Sequence, residues 1–207
     1  YTPDEGSIFL EGKEVHFSSP LDAIRAGIGM VFQEFQMFPS MSVAENVVFR
    51  KEPTKGVLID REEAIKIVED FATRFGLDVD PRVRVANAPV GLLQRAEIIK
   101  VLYRGAKVLI LDEPTAVLTP QETAQLFGVL RHLKQQGQTI ILITHKLREV
   151  MDISDRVTVL RDGRVVARMK TSEATPESVT QAMTGRDVDL TQAPSQLDPG
   201  RPVLKVE

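Results

Sequence analysis

Val108-Leu109-Ile110-Leu111 is an unbroken apolar run, and Asp112-Glu113-Pro114 follows it directly. A run of this kind reads as a buried parallel strand. Open α/β sheets gather ligands at the C-terminal ends of such strands, so two adjacent carboxylates are delivered to a ligand position. Nucleotide hydrolysis needs such a pair. One carboxylate holds Mg²⁺, directly or through water, because that ion prefers oxygen ligands. The other polarises the attacking water. Asp112 suits the metal role and Glu113 the base role, although a strand followed by an acidic turn would look the same. A second apolar run, Thr139–Ile143, ends in Thr144-His145-Lys146. His145 is placed to touch a phosphate or a catalytic water; an ordinary loop histidine is the alternative. Gln33 follows a third run, Ile28–Phe32, and its amide has the donors and acceptor to reach metal or water. Taken alone, such a glutamine carries no message.

The elements that would position these residues follow from pattern. Ser7–Leu10 and Glu14–Phe17 read as two short strands turning at Glu11-Gly12-Lys13. Pro20–Ala26 reads as a short helix stopped at Gly27, and a helical pattern starts at Ser42. The clearest helix is 61–75, with Ala64, Ile67, Val68, Phe71, Ala72 and Phe75 on one stripe, an Asp60/Glu63 capping box and Gly76 as the stop. A further helix is expected over Leu92–Tyr103. Thr119 caps the next, with Pro120 at its first position; Phe127, Leu130 and Leu133 line its inner face, and Gly137 ends it. The order strand, helix, strand from Val108 to Ile143 implies a right-handed crossover and a parallel sheet. Val157–Leu160 and Arg164–Arg168 form a hairpin about Asp162-Gly163, and a short helix follows Thr175-Pro176. From Asp187 the chain is polar and proline-rich, read as a linker, and Pro202–Glu207 reads as the start of a new strand. There is no internal repeat.

Composition narrows the class. The 207 residues are 43% hydrophobic with a net charge of −3, enough apolar matter for a real core and without a basic stripe for nucleic acid. There is no cysteine, so disulfides and thiolate metal sites are excluded. No apolar stretch is long enough to span a bilayer as a helix. Work at a membrane would therefore go through a partner.

Taken in order, the motifs resemble ATP-binding cassettes of ABC transporters. Gln33 after Ile28-Gly29-Met30-Val31-Phe32 resembles the Q-loop. Ala88-Pro89-Val90-Gly91-Leu92-Leu93-Gln94-Arg95 stands at the position of the LSGGQ-type signature. Leu109–Pro114 resembles Walker B, Ala116-Val117-Leu118-Thr119 the D-loop, and His145 the switch histidine. The match runs from Tyr1 to about Gly185, and the stretches TAVLTP and LYRGAKVLILDEP look most like cassettes for simple sugars or nucleosides, which often occur in tandem. The resemblance implies an α/β fold of the P-loop NTPase type: a mostly parallel sheet core, an N-terminal antiparallel β element and a helical subdomain. It implies segments 1–34 (core and β region ending in the Q-loop), 35–103 (helical subdomain with the signature), 104–186 (core with Walker B and switch histidine) and 187–207 (linker and start of a second cassette).

The same resemblance implies ATP and Mg²⁺ as ligands. Glu113, His145 and Gln33 would act in catalysis, Asp112 and Gln33 at the metal, and Gly91 toward the nucleotide of an opposite cassette. It also implies integral membrane permease subunits, a second cassette and, indirectly, a solute-binding protein as partners, with no nucleic acid, at the cytoplasmic face of the membrane. Phe35, Met37 and Phe38 would lie in the region that docks the permease. A soluble, non-transport ABC ATPase and a non-catalytic cassette module are the competing classes.

Two departures stand out. A phosphate-binding loop of the form G-x-x-x-x-G-K-[ST] is absent from the sequence. The nearest segment, Gly6–Glu14, separates its glycines by five residues and puts Glu14 where a hydroxyl is needed. The expectation is that this chain starts downstream of its own loop and is inactive alone. The signature is also degenerate: Pro89 replaces a serine, removing a hydroxyl and an N–H, Val90 replaces a glycine, and Leu92 replaces the glutamine.

Overall fold

The structure, a computed structural model, describes residues 3–185. The expected linker and new strand beyond Asp187 lie outside the described residues. The chain divides into two compact units, Tyr1–His145 and Lys146–Glu207.

The first unit opens with a hairpin of β1 (Ile8–Leu10) and β2 (Lys13–Val15). Its two turn residues, Glu11 and Gly12, both have positive φ (49° and 76°), as a type I′ turn requires. The second strand stops at Val15 rather than Phe17. Residues 8–10 are thus strand, as read from the sequence, and not part of a phosphate-cradling loop. Helix α1 (Pro20–Arg25) starts from a Ser19/Asp22 capping box, and β3 (Ile28–Val31) follows. Helix α2 (Val43–Val48) is capped by Ser42 with Glu45. A small hairpin, β4 (Thr54–Lys55) and β5 (Leu58–Ile59), escaped the sequence reading because two-residue strands leave no alternation to detect.

Helix α3 covers Arg61–Phe75 as expected, with Gly76 left-handed at its end (φ 65°). Asp60 accepts from the Glu63 N–H at 3.1 Å, which is half of the anticipated capping box. Helix α4 (Val90–Tyr103) begins two residues earlier than expected, with Pro89 as its N-cap. Nearly every face of α4 is covered, which suits a helix that is apolar all round: Leu92, Ala96, Ile98, Ile99, Val101 and Leu102 are buried. Burying a side chain of the size of Ile98 or Ile99 contributes about 1.5–3 kcal/mol.

Strand β6 (Val108–Asp112), helix α5 (Pro120–Gln135) and strand β7 (Thr139–Ile143) complete the unit. Strands β3, β6 and β7 form one parallel sheet in that order. Leu111 pairs with Val31 on one side and Leu142 on the other, so all three strands end at one edge. Phe127, Leu130 and Leu133 of α5 are buried, as its stripe predicted.

The second unit holds α6 (Leu147–Ile153), the hairpin β8 (Arg156–Arg161) and β9 (Arg164–Lys170), and α7 (Pro176–Thr184). Val157, Val159 and Val179 form its core, with Leu147, Met151 and Met183 packed against them. The short α6 was not anticipated. The hairpin turns at Asp162-Gly163, both with positive φ, as the sequence indicated.

Candidate functional site

The C-terminal edge of the parallel sheet brings together residues that are far apart in sequence. Asp112 is the last residue of β6 and pairs with Ile143 of β7. Glu113, the next residue, has a left-handed backbone (φ 43°). For a residue with a Cβ, that conformation costs on the order of 1–2 kcal/mol, and such strain gathers where a side chain must be aimed. The Glu113 N–H still reaches the Ile143 carbonyl at 2.9 Å, so the turn is anchored to the neighbouring strand.

Two residues beyond Ile143, the His145 Nδ1 lies 2.7 Å from Glu113 Oε1. The Glu113 side chain is 27% exposed and that of His145 67%, so the pair sits at the rim, open to a ligand. With Glu113 ionised, Nδ1 carries the proton and donates. In neutral His145, Nε2 is then an acceptor. Glu113 keeps further lone pairs with which to orient a water.

Gln33 lies two residues past Val31 of β3, at the same sheet edge, and is exposed. The β3–β6 register ends at Val31–Leu111, so Gln33 lies in the loop beyond the strand, and no hydrogen bond joins it to Asp112, Glu113 or His145 among those described. Of the predicted positions, Glu113 and His145 are joined, and Gln33 stands in the loop that leaves β3. For Mg²⁺ the donor chemistry fits. Asp112 and Gln33 offer oxygen atoms, and this ion takes one or two protein ligands and completes its shell with water and phosphate oxygens. Among the described residues no group of three or more His, Cys, Asp or Glu is placed to hold a metal ion.

Gly91 stands elsewhere, in the first turn of α4. A Cβ there would meet Glu122 Oε1 at 2.7 Å. Glu122 is the capping-box residue of α5, accepting from Thr119 N and Oγ1 at 2.9 and 2.8 Å. Its carboxyl is held below the ordinary range, chiefly by the Thr119 backbone N–H and then by the Thr119 side chain, with smaller help from Arg95 and the Gly91 N–H. A carboxylate thus already faces the Gly91 N–H.

Sequence reasoning missed a second polar cluster behind the site. Glu97 and Lys100 of α4 are buried, as is Asn46 of α2, and all three bond to the segment after Gln33. The readable signal was two charges at i and i+3 inside the otherwise apolar stretch Glu97-Ile98-Ile99-Lys100-Val101-Leu102.

The comparisons with known proteins identify the family and the fold. Residues 1–116 match the ABC transporter family profile. The chain is 44% identical over 207 residues to the guanosine import ATP-binding protein NupO of Bacillus subtilis, covering 100% of this chain and 41% of that protein. It is 41% identical over 208 residues to the ribose import ATP-binding protein RbsA 2 of Streptomyces coelicolor, covering 100% of this chain and 40% of that one. The chain thus spans about two fifths of the length of these curated relatives. Among solved structures, CbiO1 of Clostridium perfringens, part of the ABC transporter complex CbiONQ, superposes with a TM-score of 0.69 at 31% identity, over 86% of this chain and 71% of that one. The chain belongs to the ABC transporter family, and its fold is that of the ATP-binding cassette.

Proposed function

We propose that this chain is part of an ATP-hydrolysing cassette that drives import of a simple sugar or nucleoside through a membrane permease. The observation that carries the reading is the Glu113–His145 pair, 2.7 Å apart at the ends of adjacent parallel strands, with Asp112 beside it. Glu113 orients and deprotonates the attacking water. His145 fixes the Glu113 carboxylate through Nδ1 and, when protonated on both ring nitrogens, would also donate from Nε2 to the phosphate being transferred. Asp112 and Gln33 would hold Mg²⁺, whose charge would offset that developing on the phosphates. Gly91 serves a nucleotide held by a second cassette. The resemblance to guanosine and ribose import proteins supports the solute class. Phe38, half exposed in the irregular segment after Gln33 and with its ring 4.8 Å from that of Phe49, supports permease docking there. The ATPase would act from the cytoplasmic face, through the permease; no helix among the described residues is long and apolar enough to cross a membrane. The solute-binding protein would act through the permease. Lacking a G-x-x-x-x-G-K-[ST] loop, residues 1–207 alone would bind ATP weakly, since no lysine and amide cradle offsets the triphosphate charge.

The test is Glu113→Gln in the assembled transporter, with the corresponding base of the partner cassette also removed. ATP binding is expected to persist, and turnover to fall by at least ~10²-fold. Near-normal hydrolysis would end the assignment.

A further inference from the structure

The segment from Glu34 to Pro39 belongs to no sheet among the described residues, yet its backbone is held at alternate positions by buried side chains. The Gln36 N–H donates to Glu97 Oε1 at 2.8 Å, and the Gln36 carbonyl accepts from Lys100 Nζ at 2.8 Å. Lys100 Nζ also lies 2.6 Å from Glu97 Oε2, which closes a ring of three contacts around one residue. Two residues on, the Phe38 N–H donates to Asn46 Oδ1 at 2.7 Å, and the Phe38 carbonyl accepts from Asn46 Nδ2 at 3.1 Å. Side chains here do what a neighbouring strand would otherwise do for backbone polar groups.

Glu97 and Lys100 are 3% and 9% exposed. Burial pushes the Lys100 ammonium down, opposed by the charge of Glu97 and its hydrogen bond. A buried ion pair is a poor device for stability, because desolvation offsets much of its attraction and an apolar pair does as well. What an apolar pair cannot do is hold the N–H and carbonyl of a chosen residue. Lys100 lies on the same unbroken helix as Gly91, about 13 Å along it at 1.5 Å per residue. Gln33 is three residues upstream of Gln36.

We infer that Glu97 and Lys100 are positioning residues that lock the backbone at Gln36 to α4, so that Gln33 and the first turn of α4 move as one piece. The lock rests on geometry alone; its consequence for turnover rests on the ATPase reading above. Both residues are buried and act through the Gln36 backbone.

The experiment compares the intact protein with Glu97→Leu/Lys100→Met, and with Glu97→Gln/Lys100→Met, which keeps an acceptor for the Gln36 N–H. The first readout is amide hydrogen exchange resolved to single residues. In the apolar double variant the Gln36 amide is expected to exchange at least about tenfold faster, the equivalent of one lost hydrogen bond to a charged group. The Phe38 amide and the α4 amides should not change, and the glutamine variant should fall between. The second readout is steady-state hydrolysis in the assembled transporter. The apolar variant should lower kcat at least about tenfold with Mg-ATP affinity within about threefold. A Gln36 amide that exchanges as in the parent overturns the lock, and so does general loss of protection across α4 in both variants. A freed Gln36 amide with unchanged kcat overturns the positioning role. A parent transporter that hydrolyses no ATP defeats the ATPase reading instead, and the exchange result still decides the lock.

Discussion

Glu122 shows how much one carboxylate can be asked to do. It closes the α5 capping box with Thr119 and faces the Gly91 N–H and Arg95. These hydrogen bonds hold its carboxyl below its ordinary value of 4.5. A depressed carboxyl stabilises the fold fully above the unfolded value, and that contribution is lost as pH falls through the folded one. Glu122→Gln should therefore lower stability at pH 7, and the gap between parent and variant should close below about pH 4.5. Urea midpoints measured from pH 7 down to 3 check this, and a gap that stays constant would show that the charge of Glu122 is not what matters. Asp22 and Glu45, depressed for the same kind of reason by Ser19 and Ser42, remain in both proteins as a common background. His145, by contrast, was legible in the sequence as a histidine after a strand, at the position of the switch histidine, but without its partner. Its bond to Glu113 depends on β7 lying next to β6, which a single sequence does not state.

At the scale of elements, the site depends on how closely β3 lies against α4. Gly29 sits in the middle of β3, and a Cβ there would stand 2.9 Å from both Val101 Cβ and Ala106 Cβ. Its φ is not positive, so the position needs glycine for space and not for backbone freedom. Gly29→Val should cost about 1–3 kcal/mol through overpacking, and Gly29→Ala less. Chemical denaturation measures both; a valine variant as stable as the parent would show that the strand and helix can separate without penalty. The helices themselves were readable because their signals are local. Ser42, Thr119 and Thr175 each cap the helix that follows, and Pro120 and Pro176 open theirs. Helix α4 was placed two residues late because Pro89, Val90 and Gly91 are poor helix formers; the surrounding core overrides that preference. Helix α6 and the β4–β5 hairpin were missed because each is too short to display a period.

For the molecule as a whole, the parallel sheet leaves apolar surface uncovered. Ile141 and Ile143 of β7 are 47% and 46% exposed, although such strands are ordinarily buried on both faces. Phe32, the residue after β3, is about half exposed as well. Uncovered apolar surface beside a strand edge favours association. Residues 1–207 in isolation should therefore bind a hydrophobic dye and scatter light at lower concentration than Ile141→Lys/Ile143→Lys, a double variant whose new charges face solvent. Equal dye binding and scattering by both proteins would place the sticky surface elsewhere.

What the sequence determined by itself were the features written in neighbouring residues: helix stripes and their caps, the glycines and turn residues that end elements, the apolar runs that became β3, β6 and β7, and the motif order that identified the cassette. Each depends on interactions within a few residues, so the local pattern is sufficient. Only the tertiary structure decided which side chains meet. Glu113 and His145 are joined because a parallel crossover aligns two strand ends, Glu122 faces Gly91 because the starts of α5 and α4 converge, and Glu97 with Lys100 grips Gln36 from more than sixty positions away. Those contacts depend on backbone paths fixed by the packing of the whole core, and no short stretch of chain contains them.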